Sequence, residues 1–244
     1  MAKRIKFFLK NILSSLLAFL PALPNRAVIL MYHSVGDNGR FFTVESQDFS
    51  AQLAYLKQQR YNIVSLSALL DYLTAGKIPP RTVAITFDDG YTDNYSIAFP
   101  LLKKYNFPAT IFLATGLPSI DLPLLDKDQV SEMAASGLID FEPHTVSHAK
   151  LTKISLTEAR QEIIESKAFI EREYCKPVSY FAYPYGRYNQ QIIGLLKASG
   201  FKAALTVAKG VVRPKSDRWL LKRNAVDSAV SPVQFRAMIK FGKL

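Results

Sequence analysis

From Ala27 onward, short apolar runs alternate with longer amphipathic stretches, and that alternation sets the first expectation. The run 27–32 (AVILMY) is apolar throughout, as a strand covered on both faces should be. The runs 82–87 (TVAITF) and 109–114 (ATIFLA) repeat that character. Shorter runs at 62–65, 138–141, 180–183, 203–207 and near Ala225 predict further strands. Between these runs the apolar spacing turns helical. Phe49, Leu53 and Leu56 share one side of 47–59, and helices are also expected at 66–75, 95–105, 126–136, 156–173, 189–199 and 232–240. Ser155-Leu156-Thr157-Glu158 opens the longest of these with a capping signal, while Gly76 and Gly200 follow two others. The strand–helix unit recurs about seven times with no linker or change of composition. That predicts one α/β domain on parallel strands, closed as a barrel, with its chemistry at the strands' C-terminal ends.

Residues 1–24 stand outside this alternation. Ile5, Phe8, Leu9, Ile12, Leu13, Leu16, Leu17 and Leu20 recur at helical spacing, with Lys3, Lys10, Asn11 and Ser14 largely off that stripe. Pro21 and Pro24 end it. The basic start and apolar run also suit a signal-like leader, although no clean A-x-A site follows. The run is shorter than the roughly 20 residues of a comfortable membrane span. The segment is expected to associate with a membrane in one of these three ways, leaving 25–244 as the folded domain.

Composition narrows the classes. With 49% hydrophobic and 12% aromatic residues the chain can bury a large core, so disorder is excluded. The single Cys175 cannot form an internal bridge, and no Cys/His finger is present. The net charge of +11 gathers at the two ends. Residues 197–244 hold eleven basic side chains against Asp217 and Asp227, whereas the middle is net negative. Such ends suit an anionic membrane surface or glycan. Nucleic acid is not expected as a partner, since no helix-turn-helix, RNP or finger signature accompanies the charge.

Three polar clusters each follow an apolar strand. Asp88 and Asp89 precede Gly90, and adjacent carboxylates there repel unless a cation or proton is shared; an ordinary solvated turn is the alternative. His144 and His148 are two of only three histidines, spaced four apart as two ligands on one helical turn would be. With Asp89 they form a two-histidine, one-carboxylate set that leaves metal positions open for water and substrate. Tyr183-Pro184-Tyr185-Gly186 reads either as a plain turn or as a backbone N–H for an oxyanion with aromatic faces for a sugar. His33, which ends the first strand, would fall on the same barrel rim.

The motifs TFDDG, HTVSH and YPYG, in this order, resemble the NodB-type polysaccharide deacetylases of carbohydrate esterase family four, over about residues 28–226. The resemblance implies a distorted (β/α)7 barrel in a single domain, a divalent metal and removal of N-acetyl groups from sugars. It casts Asp88 as catalytic base, Asp89, His144 and His148 as metal ligands, and the Tyr185 N–H as oxyanion donor, with Tyr183 and Pro184 beside the substrate. Zinc is the expected metal, with cobalt, nickel or iron(II) as alternatives. Two departures stand out: Ala182 replaces the family's usual arginine, and no histidine follows His148 to serve as the late acid. Both are similar to the branch acting on poly-N-acetylglucosamine, in which an early segment like MYHSV supplies the acid, here His33. Arg223 is the candidate to orient Asp88 instead. The expected substrate is an N-acetylated glycan of the bacterial envelope, reached by an exported or inner-membrane-associated protein. A lipid-linked sugar intermediate, or glycan binding without catalysis, are the alternatives.

Overall fold

The computed structural model describes residues 24–116, 122–174 and 176–242; the membrane-associating segment expected at 1–24 lies, but for Pro24, outside the described residues. The chain opens with β1 (Ala27–Tyr32), a small parallel pair β2 (Ser34–Val35) and β3 (Thr43–Val44), and α1 (Ser46–Gln58). Next come β4 (Asn62–Ile63), α2 (Leu66–Thr74) and β5 (Thr82–Asp89). A π-helical turn (Asn94–Ala98) runs into α3 (Phe99–Tyr105), followed by β6 (Ala109–Leu113), α4 (Lys127–Ala135) and β7 (Ile139–Pro143). The remainder is α5 (Leu156–Tyr174), β8 (Tyr180–Ala182), α6 (Gln190–Ala198), β9 (Ala203–Leu205), β10 (Asn224–Ala225) and α7 (Pro232–Phe241). Among the described residues no helix is long and apolar enough to cross a membrane.

One parallel sheet runs β10-β1-β5-β6-β7, with β4 beside the start of β5. A separate parallel pair, β8-β9, continues the circuit, and Leu205 bridges to Leu221 just ahead of β10. These eight strands surround a core in which β1 and β5 are buried along their whole length; β1 is apolar throughout, whereas β5 also buries Thr82, Thr86, Asp88 and Asp89. The expected distorted barrel is present, and the distortion has a location. Between β7 and β8 side chains replace the backbone ladder. The Glu142 carboxylate accepts the Ser179 N–H at 2.9 Å and the Tyr180 N–H at 2.9 Å. One strand step away, His144 Nδ1 lies 2.7 Å from the Ala182 carbonyl oxygen.

Candidate active site

β5 delivers two adjacent carboxylates to one place, which a regular strand cannot do because successive side chains face opposite ways. The strand extends through Asp88 and Asp89, beyond the expected end at Phe87, and breaks its own alternation at the last residue. Asp89 takes φ 73° and Gly90 φ 83°, both left-handed. Glycine is favoured at this left-handed position, and a Cβ there would also fall 2.5 Å from Leu113 Cδ2 and force that side chain to shift. Asp89 Oδ1 then lies 3.5 Å from His148 Nε2 and 3.9 Å from His144 Nε2, while Asp88 Oδ2 is 3.9 Å from His144 Nε2.

The two histidines do not share a helical turn, contrary to the expectation from their spacing. They lie in the irregular loop after β7, where Thr145 (φ 69°) and His148 (φ 57°) are both left-handed and bring the rings to 4.8 Å between centroids. Helix α5 holds this loop in shape. Its Glu162 accepts the Val146 N–H at 2.8 Å, the Ser147 N–H at 2.9 Å and the Ser147 hydroxyl at 2.6 Å. Strained residues gathered in this way require a surrounding structure that over-determines them.

Arg223, fully buried, grips Asp88 with both prongs: Nη1 donates to Oδ1 at 2.6 Å and Nη2 to Oδ2 at 2.7 Å. Its Nε donates to the Thr206 carbonyl at 3.0 Å, which fixes the plane of the fork. Burial alone would raise the Asp88 pKa, but the Arg223 charge, with help from His144 and His33, holds the carboxyl well below its usual range. His144 is pushed down to about 4, first by burial. It is therefore neutral, and with Nδ1–H donating to Ala182 its Nε2 lone pair faces the carboxylates.

These features fit a divalent cation. Asp89, His144 and His148 each offer one donor atom, all within 4.8 Å of one another. Two ligands of one tetrahedral ion, each about 2.1 Å from it, lie about 3.4 Å apart, close to the spacings above. Asp89 Oδ1 is buried and has no hydrogen-bond partner, an expensive arrangement unless a cation meets it.

The polysaccharide deacetylase family profile matches residues 75–204, more than half of the chain. This chain belongs to the polysaccharide deacetylase family. It is thus related to hydrolases of N-acetyl amide bonds. A poly-beta-1,6-N-acetyl-D-glucosamine N-deacetylase of Staphylococcus epidermidis is 35% identical over 77% of this chain and 69% of its own length. Among solved structures, the Streptococcus pyogenes deacetylase PplD in complex with acetate aligns with TM-score 0.79 at 28% identity, covering 87% of this chain and 97% of its own. IcaB from Ammonifex degensii aligns with TM-score 0.78 at 27% identity, covering 88% of this chain and 96% of its own.

Within this deacetylase fold the remaining candidates divide. His33 follows β1 at the same rim and is close enough for its charge to act on Asp88. Tyr185 is 52% exposed, with φ 57° and its ring 4.5 Å from that of His148. Tyr183 and Pro184, expected beside the substrate, are both buried. The Tyr183 ring packs against Phe181 and Tyr188 and its hydroxyl donates to the Trp219 carbonyl, so it has no free face for a sugar. Gly186 is needed because a Cβ there would lie 2.9 Å from the Val207 nitrogen. Sequence reasoning missed the network behind His33. Asp93 accepts the Ser34 hydroxyl and, at 3.1 Å, the Val35 N–H, while Asn94 Nδ2 donates to the His33 carbonyl at 2.8 Å. The only signal was two polar residues, Asp93 and Asn94, just downstream of TFDDG.

Proposed function

We propose that this protein removes N-acetyl groups from a poly-β-1,6-N-acetylglucosamine-like glycan of the bacterial envelope, using a divalent cation held by Asp89, His144 and His148. The observation that carries the reading is Asp88. It is a fully ionised carboxylate, clamped by Arg223, beside a three-donor set whose Asp89 oxygen lacks any other partner. A glycan-binding protein has no use for that arrangement. The relative from Staphylococcus epidermidis supports the choice of polymer.

A cation at this position supplies Lewis-acid polarisation of the acetamide carbonyl and acidifies water. Two imidazoles with one carboxylate suit zinc, with cobalt, nickel and iron(II) as competitors. Asp88 accepts a proton from the attacking water at a carboxylate oxygen, its orientation fixed by the Arg223 fork. The Tyr185 N–H donates to the oxygen that becomes negative, the kind of preorganised dipole that dominates such catalysis. His33, carried on the rim by β1 and held through its carbonyl by Asn94, gives a proton to the departing amine. The same proposal places the protein at the membrane of the envelope, supported by the basic, apolar pattern of residues 1–24.

The test is acetate release from β-1,6-linked N-acetylglucosamine oligomers by protein stripped with chelator and reloaded with each metal in turn. Release that depends on reloading supports the reading. A reloaded, folded protein that binds the oligomers yet frees no acetate overturns it in favour of glycan binding alone.

A further inference from the structure

The end of the barrel opposite the catalytic mouth collects positive charge that no ion pair among the described residues neutralises. Strands β1 and β5 run parallel with Ala27 beside Thr82, so Arg26 and Arg81, one residue earlier on each, stand side by side at the N-terminal rim. Ala27 also exchanges two 2.9 Å backbone bonds with Val212 in an antiparallel bridge, which sets Arg213 on the other flank of Arg26. Helix α7 ends at this rim, with the Phe241 ring centre 5.9 Å from the Arg26 guanidinium carbon and Lys240 next to it in sequence. Asp88, Asp89 and His33 lie at the other ends of the same two strands, about 20 Å away at some 3.3 Å per residue.

Among the described residues, no ion pair balances these four cations. Arg26 is only 6% exposed, and its Nη2 is buried without a hydrogen-bond partner. Among the described residues the ion pairs involve other side chains, and Arg81 Nη1 spends itself on the Gln59 carbonyl at 2.6 Å. The cations also disfavour one another. Burial first, then Arg213, depresses the Arg26 pKa, and burial first, then Arg81, depresses that of Lys240. Arg81 and Arg213 are exposed and Lys240 is partly so, which makes the charge available outside. Crowded, unpaired cations on one face are stable neighbours of an external anionic surface.

We propose that this N-terminal rim, presenting Arg81, Arg213 and Lys240 around the buried Arg26, docks on the phosphate headgroups of an anionic bilayer and points the catalytic mouth away from it. A bilayer is favoured over a soluble anion because the described chain enters at this rim. The residues before it carry Lys3, Arg4, Lys6 and Lys10, an apolar run and no acid. The surface thus extends the membrane association proposed above and is independent of the deacetylation chemistry.

The experiment is co-sedimentation of the full chain with vesicles of phosphatidylcholine, with and without phosphatidylglycerol, for wild type and for the double variant Arg81→Gln/Arg213→Gln. Both positions are exposed and neither touches the catalytic centre, so acetate release in solution reports that the variant is folded. The expected result is preference of wild type for phosphatidylglycerol and roughly thirtyfold weaker binding by the variant, the equivalent of about 1 kcal/mol per cation. Equal binding by both proteins overturns the rim as the docking surface while leaving membrane association intact. Wild type that binds both kinds of vesicle alike overturns the rim alone, and wild type that binds neither overturns both. Inorganic phosphate that raises the melting temperature of wild type alone, with vesicle binding unchanged by the variant, makes the rim a soluble-anion site and overturns the bilayer.

Discussion

At the scale of single residues, Asp88 faces two opposed demands. A general base must have some affinity for a proton, yet the Arg223 fork holds this carboxyl far below its ordinary range. A weak base suffices when the proton it takes is already acidic, and orientation then matters more than basicity. Arg223→Lys keeps the charge and loses the two-pronged geometry, so acetate release should fall roughly ten- to hundredfold while metal content stays constant. Arg223→Ala strands a buried carboxylate and should destabilise the fold by about 3–5 kcal/mol in a urea titration. Asp88→Asn should lower turnover by roughly 10²–10⁴ with metal retained; a variant of near-normal activity would remove Asp88 from the role of base. His33→Ala should slow the reaction by a similar order and also retain metal. Loss of metal in that protein would make His33 a ligand. Residue types and order were enough to nominate Asp88, Asp89, His33, His144 and His148 for the site, and the structure gathers Asp88, Asp89, His144 and His148 in one place. Arg223 was only a candidate, because it sits 135 positions from Asp88 and no local pattern records a contact at that separation.

At the scale of elements, strands and helices were legible because burial dictates their periodicity, and the expected runs recur with shifts of a few residues at their ends. The short pair β2-β3 and the π-helical turn were not, since two-residue strands have no period to read. Nor was the loop geometry of the two histidines, which rests on left-handed residues and on Glu162 from another element. Glu142 belongs to this scale too. It joins β7 to β8 where the ladder lapses, and burial pushes its pKa up to about 8 despite the hydrogen bonds it accepts. Between the ordinary value of 4.5 and about 8 the folded state therefore holds more protons than the unfolded one. The stabilisation from this group is complete below that window and is lost as pH rises through it. Glu142→Gln mimics the protonated form, so the melting temperature of the variant minus that of wild type should grow as pH rises across the window. A difference that stays flat would show that Glu142 titrates normally in the folded protein.

At the scale of the whole molecule, the proposed metal site would also act as a structural clasp. Asp89 comes from β5 and both histidines from the loop after β7, while the Ala182 carbonyl that fixes His144 comes from β8, across the gap in the barrel. A cation held by these three donors would tie the end of β5 to the loop after β7 and, through the His144 contact with Ala182, brace that loop where it meets β8. Without one, the Arg223 fork and the Glu162 hydrogen bonds still hold Asp88 and the histidine loop, but the buried Asp89 oxygen has no partner to offset its cost. A ligand that binds only the folded state at about a thousand times its dissociation constant adds about 4 kcal/mol. For a chain of this length that corresponds to roughly 10 °C in melting temperature, at about 2–4 °C per kcal/mol. Calorimetry of chelated and zinc-loaded wild type should show a rise of that order, and the same pair for His148→Ala should show little. Because melting reads stability and not turnover, the result is independent of which glycan is cleaved. If zinc raised the melting temperature equally in the variant, the cation would be binding elsewhere, and the assignment of Asp89, His144 and His148 as its ligands would have to be given up.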